Sequence, residues 1–161
     1  MELTLDIIKE MIGGKWLREP EKAISQFPIC GISIDSRTLC AGDLFWAIKG
    51  ERFDGHDFVK EAFEKGAIAA VISKSLHFHP MNGSIIKVDD TLISLQKLAT
   101  EWRKKHTCPL IAVTGSSGKT TTKELIAKIL SQKYNCLSTK GNMNNHIGLN
   151  SKGRAFDDSM V

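Results

Sequence analysis

An apolar run that breaks at a glycine-bearing turn and resumes as a helix constrains this chain more than any other feature. Leu110-Ile111-Ala112-Val113 leads into Thr114-Gly115-Ser116-Ser117-Gly118, and Lys119-Thr120-Thr121-Thr122 follows. The first four residues read as a buried strand. Leu125, Ile126, Ile129 and Leu130 then recur at helical spacing from a start near Lys119. Strand, tight loop and helix in succession imply an α/β architecture. A loop of this kind turns backbone N–H groups toward one point, and the helix adds its positive N-terminal end. The spacing therefore predicts a phosphate site built from Gly115, Ser116, Ser117 and Gly118, with Thr121 in the helix's first turn. Lys119 would reach the outer phosphates of a nucleotide, the catalytic role in this reading. Thr120 would offer its hydroxyl to a magnesium ion. The standard loop has a further glycine six residues before the lysine, where Val113 stands. A strand-turn-helix without ligand is the competing reading, and the apolar context on both sides weighs against it.

The rest of the chain sets the surroundings of that unit. At 161 residues, with 42% apolar and 25% charged residues, the chain is long enough for one ordinary domain or two small ones. No apolar run approaches the roughly 18 residues of a membrane-spanning helix. The first residues, Met1-Glu2-Leu3-Thr4-Leu5-Asp6, carry acids where a secretory leader needs bases, so a cytoplasmic location is expected. The net charge of +4 is scattered. Its densest run, Arg103-Lys104-Lys105-His106, closes a helix, where cations suit the dipole, so no nucleic-acid partner is expected. Cys30, Cys40, Cys108 and Cys136 lack metal-site spacing and read as reduced, mostly buried thiols. His77 and His79, with no third ligand near in sequence, read as a surface loop.

In chain order, a helix is predicted over 3–12, ended by Gly13-Gly14. A poorly patterned stretch follows, in which Trp16 and Phe27 are expected to pack. Strands are predicted at Gly31–Asp35, Leu44–Ile48, Ala67–Ile72 and Ser84–Val88. Helices are predicted from His56 to Lys65 and from Thr91 to about Lys105. Between the second strand and its helix lies a polar loop, Lys49-Gly50-Glu51-Arg52-Phe53-Asp54-Gly55. Asp35 and Arg37 read as an internal ion pair holding a turn. A boundary is placed at residue 89, giving a small α/β domain over 1–89. A linking helix and a second, incomplete nucleotide-binding domain occupy 90–161. Tyr134–Leu137 reads as a short strand. Four asparagines over 142–150 form a loop, and presentation of amides to a ligand and simple turn formation are equally open for it.

Three stretches taken together resemble the Mur ligases of peptidoglycan precursor synthesis. The first is Asp35-Ser36-Arg37 with Gly42-Asp43-Leu44-Phe45, Gly50, Asp54-Gly55-His56-Asp57-Phe58 and Gly66-Ala67. The second is Thr114-Gly115-Ser116-Ser117-Gly118-Lys119-Thr120, which is similar to that family's own phosphate loop. The third is Gly141-Asn142-Met143-Asn144-Asn145-His146-Ile147-Gly148. The resemblance covers about 31–149 and is nearest to the branch that adds D-alanyl-D-alanine to UDP-N-acetylmuramoyl-tripeptide. It implies an ATP- and Mg2+-dependent ligase. ATP would phosphorylate the peptide carboxylate, and the amine of D-alanyl-D-alanine would displace phosphate from the acyl phosphate. It also implies that Ser36 contacts uridine and that Glu51, Arg52 and Phe53 line the same pocket. Asn144 and Asn145 would face the pyrophosphate or a nearby metal. The full enzyme is expected to be a monomer that does not insert in membranes.

Mur ligases are three-domain chains, and this sequence reads as their N-terminal portion. The polar, unpatterned segment 150–161 departs from the family, reads as a truncated or frame-shifted tail, and is expected to be disordered. One strand and one helix of a nucleotide-binding domain cannot cover their apolar faces, so the second unit is expected to be sticky and the chain inactive alone. A sister Mur ligase and a non-catalytic UDP-sugar-binding remnant are the alternatives. A phosphate-loop kinase or GTPase leaves the first domain unexplained.

Overall fold

The computed structural model describes residues 3–77 and 83–139. Its core is one five-stranded sheet in the order β1-β5-β4-β3-β2. The strands are β1 (Lys15–Arg18), β2 (Gly31–Ser33), β3 (Asp43–Trp46), β4 (Ala69–Ile72) and β5 (Ser84–Lys87). The last four pair in parallel, and β1 closes one edge antiparallel to β5. The helices are α1 (Leu5–Ile12), α2 (Lys22–Gln26), α3 (Val59–Glu64), α4 (Thr91–Lys104) and α5 (Lys119–Leu130), and a 3-10 turn over Gly55–Phe58 leads into α3.

Alternation along the strands decides which helix covers which face. Leu44 and Trp46, Ala69 and Val71, and Ile86 point to one side. Leu5, Ile8 and Ile12 of α1 and Leu95, Leu98 and Trp102 of α4 complete that core. Phe45, Ala70, Ile72 and Ile85 point to the other side, against Val59 and Ala62 of α3. Both faces of β3 and β4 are buried, which is why these strands read as continuous apolar runs. The buried indole of Trp46 donates to the carbonyl of Thr91 at 2.7 Å and ties β3 to the start of α4.

Local signals fix the helix ends. The Thr4 side chain accepts from the N–H of Ile7 at the start of α1, and the N–H of Gly13 closes it on Glu10. Asp90 caps α4 by accepting from Ile93 at 2.8 Å. Asp54 caps the turn before α3 by accepting from His56 at 3.1 Å.

Several expectations differ from the structure. The long helix placed beyond a boundary at 89 lies in the core of the first unit. Its apolar stripe and the sheet face beside α1 need the same cover, and each supplies it to the other. β1 and α2 fall in the stretch that showed no pattern, because β1 is a short, mostly exposed edge strand. Trp16 packs partly against the core, whereas Phe27 is 65% exposed. Cys30, Cys40 and Cys108 are exposed and Cys136 is half-buried, so the thiols are free but not in the core.

The expected strand at Leu110–Val113 does not form, nor does that at Tyr134–Leu137. A parallel strand needs neighbours to take its N–H and C=O groups, and no second strand accompanies it among the described residues. Leu110 is 77% and Ile111 57% exposed, and α5 buries none of its residues. The exposed apolar face expected of this unit is therefore present.

Candidate functional site

The loop before α5 has the shape its composition predicts. Gly115 and Gly118 take φ of +148° and +75°. At Gly118 an added Cβ would meet nothing within 4 Å, so backbone conformation rather than space calls for glycine. Gly118 is the residue that opens α5, and no side chain caps that start. Helix geometry leaves the first amides there without a carbonyl one turn earlier, so they face the loop's concave side. Lys119 curls back over the turn. Its ammonium donates to the carbonyl of Gly115 and lies 3.5 Å from that of Ser116. One cation and several outward amides thus share a single small concavity. Ser116 and Ser117 are exposed on the turn, Thr120 is half-buried and Thr121 is exposed in the first helical turn. An incoming phosphate would replace the loop carbonyls as the partner of Lys119.

Thr120 supplies one hydroxyl oxygen next to that cation, which suits a magnesium ion whose remaining ligands are phosphates and water. Among the described residues no group of three or more His, Cys, Asp or Glu side chains could hold a metal by itself.

The expected uridine contacts are held by two different elements. Ser36 is buried, and its carbonyl accepts from the Lys65 ammonium at 3.0 Å, just past α3. Lys65 also bonds Glu61 at 2.7 Å. The neighbouring Asp35 and Arg37 form the expected ion pair. Two guanidinium bonds of 2.9 and 2.7 Å join them, and the N–H of Arg37 donates to the same carboxylate at 2.9 Å. The Arg37 guanidinium holds the Asp35 carboxyl below the usual carboxylate range, although burial opposes this.

Glu51, Arg52 and Phe53 are exposed at the tip of the loop that follows β3. Lys49 bridges Asp54 across the base of this loop, the N–H of Gly50 donates to Phe53, and that of Gly55 donates to Ile48. Asn144, Asn145 and His79, and the tail at 150–161, lie outside the described residues.

A third set of groups was not singled out by the sequence reading. The Asp54 carboxylate receives the His56 ring Nδ1 at 2.6 Å and the Lys74 ammonium. On the far side of the ring, Nε2 accepts the N–H of Ser73 at 2.9 Å, and the Ser73 hydroxyl lies 3.3 Å away. Burial raises the Asp54 pKa. The bonds from Lys74 and from the His56 ring and N–H outweigh it and hold the carboxyl well below its ordinary range. Asp, His and Ser in series have the composition of a nucleophilic triad but not its chemistry. The single lone pair of Nε2 is already engaged by a backbone N–H, so the ring cannot act as base toward the Ser73 hydroxyl. The available signal was the run Asp54-Gly55-His56, an acid two residues before a histidine at a turn.

Comparison with known proteins follows these elements. Residues 28–103 match the Mur ligase family, catalytic domain, and residues 113–160 match the Mur ligase middle domain. The chain belongs to the Mur ligase family. The UDP-N-acetylmuramoyl-tripeptide--D-alanyl-D-alanine ligase of Bacillus subtilis is 45% identical over 146 residues, which are 91% of this chain and 31% of that protein. MurF from Acinetobacter baumannii superposes with a TM-score of 0.81 at 36% identity, covering 92% of this chain and 32% of that one. MurF ligase from Thermotoga maritima in complex with ADP gives 0.63 at 40% identity, covering 74% and 27%. This Mur ligase chain therefore spans about a third of the length of the relatives it matches. The mixed sheet with helices on both faces is the part of the fold it shares with them.

Proposed function

We propose that this Mur ligase chain is part of an ATP- and Mg2+-dependent enzyme that joins D-alanyl-D-alanine to UDP-N-acetylmuramoyl-tripeptide through an acyl phosphate. The observation that carries the reading is the Lys119 ammonium lying over the turn at the head of α5. The names of the relatives and the ADP held by the Thermotoga maritima protein support it.

Two anions, a carboxylate and a γ-phosphate, must meet in this reaction, so positive charge has to be concentrated where they approach. Lys119 supplies one charge at the β- and γ-phosphates, and the Gly115–Gly118 amides with the α5 start supply partial charges around them. Magnesium, when bound, neutralises the transferring phosphoryl group, and Thr120 would hold it. Ser36 and the Glu51–Phe53 loop hold the uridine nucleotide, and Asn144 and Asn145 face its pyrophosphate or the metal. The first functional unit extends through α4, and the phosphate-loop unit begins after it. The enzyme works in the cytoplasm as a monomer.

By itself the 161-residue chain is proposed to bind the uridine precursor weakly and to turn nothing over. Its phosphate loop has no sheet behind it among the described residues, and no acidic cluster stands beside Thr120 there. A phosphate-release assay with ATP, Mg2+, the tripeptide precursor and D-alanyl-D-alanine tests this. The expected result is no release, and turnover overturns the proposed inactivity. Calorimetry with UDP-N-acetylmuramoyl-tripeptide tests the substrate assignment, which fails if no heat of binding is found at millimolar ligand.

A further inference from the structure

The histidine between two strand ends has a task that the proposed chemistry does not use. His56 is 7% exposed and sits at the start of the turn that follows the 49–54 loop. Its two ring nitrogens face different partners. Nδ1 lies 2.6 Å from a carboxylate oxygen of Asp54, which only accepts. Nε2 lies 2.9 Å from the backbone N–H of Ser73, which only donates. These partners fix the neutral ring with its proton on Nδ1. A second proton at Nε2 would set N–H against N–H.

The ring therefore links two pieces of chain that are 17 residues apart. Ser73 follows β4, and Asp54 closes the base of the loop that follows β3. β3 and β4 are neighbouring parallel strands, so both pieces lie at their carboxyl ends, where ligands of open α/β sheets bind. The loop itself is short of other anchors. Glu51, Arg52 and Phe53 are exposed, and its base bonds are those of Gly50 to Phe53 and Gly55 to Ile48. Asp54 also receives Lys74 from the β4 side, so loop and strand end are fastened twice through one carboxylate.

We propose that His56 is a positioning residue, which fastens the 49–54 loop to the carboxyl end of β4 and so presets the loop for the uridine nucleotide. The proposal rests on the reading that this loop lines the nucleotide pocket. His56 touches no reacting atom in it. Loss of the ring's bonds leaves the fold in place but lets Glu51, Arg52 and Phe53 sample many positions, and the cost of reordering them appears on binding.

His56→Phe in the 161-residue chain keeps the volume of the ring and removes both bonds. Amide hydrogen exchange without ligand is expected to lose protection at Gly50, Gly55 and Ser73 while Leu44 and Val71 stay protected. Calorimetry is expected to show about tenfold weaker binding of UDP-N-acetylmuramoyl-tripeptide. His56→Gln, which can both donate and accept, is expected to recover part of the loss. The nitrogen shifts of the wild-type ring should report the Nδ1–H form. Should His56→Phe not fold, Asp54→Ala, which removes the ring's acceptor at a less buried position, is read by the same two measurements. Unchanged protection of the loop amides overturns the fastening. A loosened loop with unchanged precursor affinity overturns the link to binding. If the wild-type chain does not bind the precursor, the substrate assignment fails and the binding half of the proposal fails with it, while the exchange result still decides the fastening.

Discussion

Replacing Gly55 by alanine places a methyl group against backbone. An ideal Cβ there lies 2.7 Å from the N and 2.8 Å from the O of Ile48, and 3.0 Å from the carbonyl carbon of Ala47. No side-chain rotation relieves contacts with main chain, so the segment after β3 and the turn before α3 must move apart. That movement also stretches the bond from the Gly55 N–H to the Ile48 carbonyl, now 2.9 Å. Overpacking of this kind costs about 1–3 kcal/mol, and a weakened backbone bond adds about 1. A total near 2 kcal/mol after relaxation corresponds to a fall in Tm of roughly 10 °C for a domain of this size. The assay is built into the chain, because its three tryptophans, Trp16, Trp46 and Trp102, all pack in or against the core of the sheet unit. Thermal unfolding followed by tryptophan fluorescence therefore reports that unit alone. Gly118→Ala is the control. Its Cβ meets nothing within 4 Å, and it lies in the exposed unit, so the tryptophan transition should not move. An unchanged Tm for Gly55→Ala, or an equal fall for both variants, would refute the assignment of Gly55 to close backbone contact.

The Asp54 network gives a pH dependence of known sign. A carboxyl whose folded pKa is depressed contributes stability that is complete above its unfolded value and is lost as the pH falls toward the folded one. Wild type is expected to exceed Asp54→Asn by about 1–2 kcal/mol at pH 7 in urea unfolding, and the gap should begin to close below about pH 4. A gap that is constant down to pH 2, or that widens in acid, contradicts the network. Ile129, 66% exposed on α5, is expected to accept lysine with a change below about 0.5 kcal/mol in the tryptophan transition. Sedimentation of Ile129→Lys should show less self-association than wild type, and equal association would mean that the open face of α5 is not the sticky one.

Much of the sheet unit was readable because burial on both faces imposes a continuous apolar run. Leu44 to Ala47 and Ala69 to Ile72 could hardly be anything but internal parallel strands. The caps Thr4 and Asp90 and the stop at Gly13 follow from local chemistry that needs no tertiary context. What escaped depends on partners distant in sequence. β1 pairs with β5 across some 70 positions and exposes most of its side chains, so its own residues carry no period. The place of α4 depends on the sheet face left open beside α1, which no pattern within 91–104 reports. Leu110 to Val113 failed in the opposite sense. The residues have strand character, but pairing is a property of neighbours, and none accompany them here. At the site, Gly115, Gly118 and Lys119 were legible because a left-handed turn before a helix has a narrow choice of residues. The Asp54–His56–Ser73 link was not, because Ser73 meets the ring only once β3 and β4 lie side by side.

The central claim is that the turn from Thr114 to Lys119 receives phosphate. Titration of the isotope-labelled chain with ADP and Mg2+, followed by amide chemical shifts, tests it most directly. The account predicts weak, saturable shifts centred on the amides of Gly115, Ser116, Gly118 and Lys119, and their disappearance in Lys119→Ala. Shifts spread elsewhere with these amides unmoved, or an undiminished response in Lys119→Ala, would contradict it.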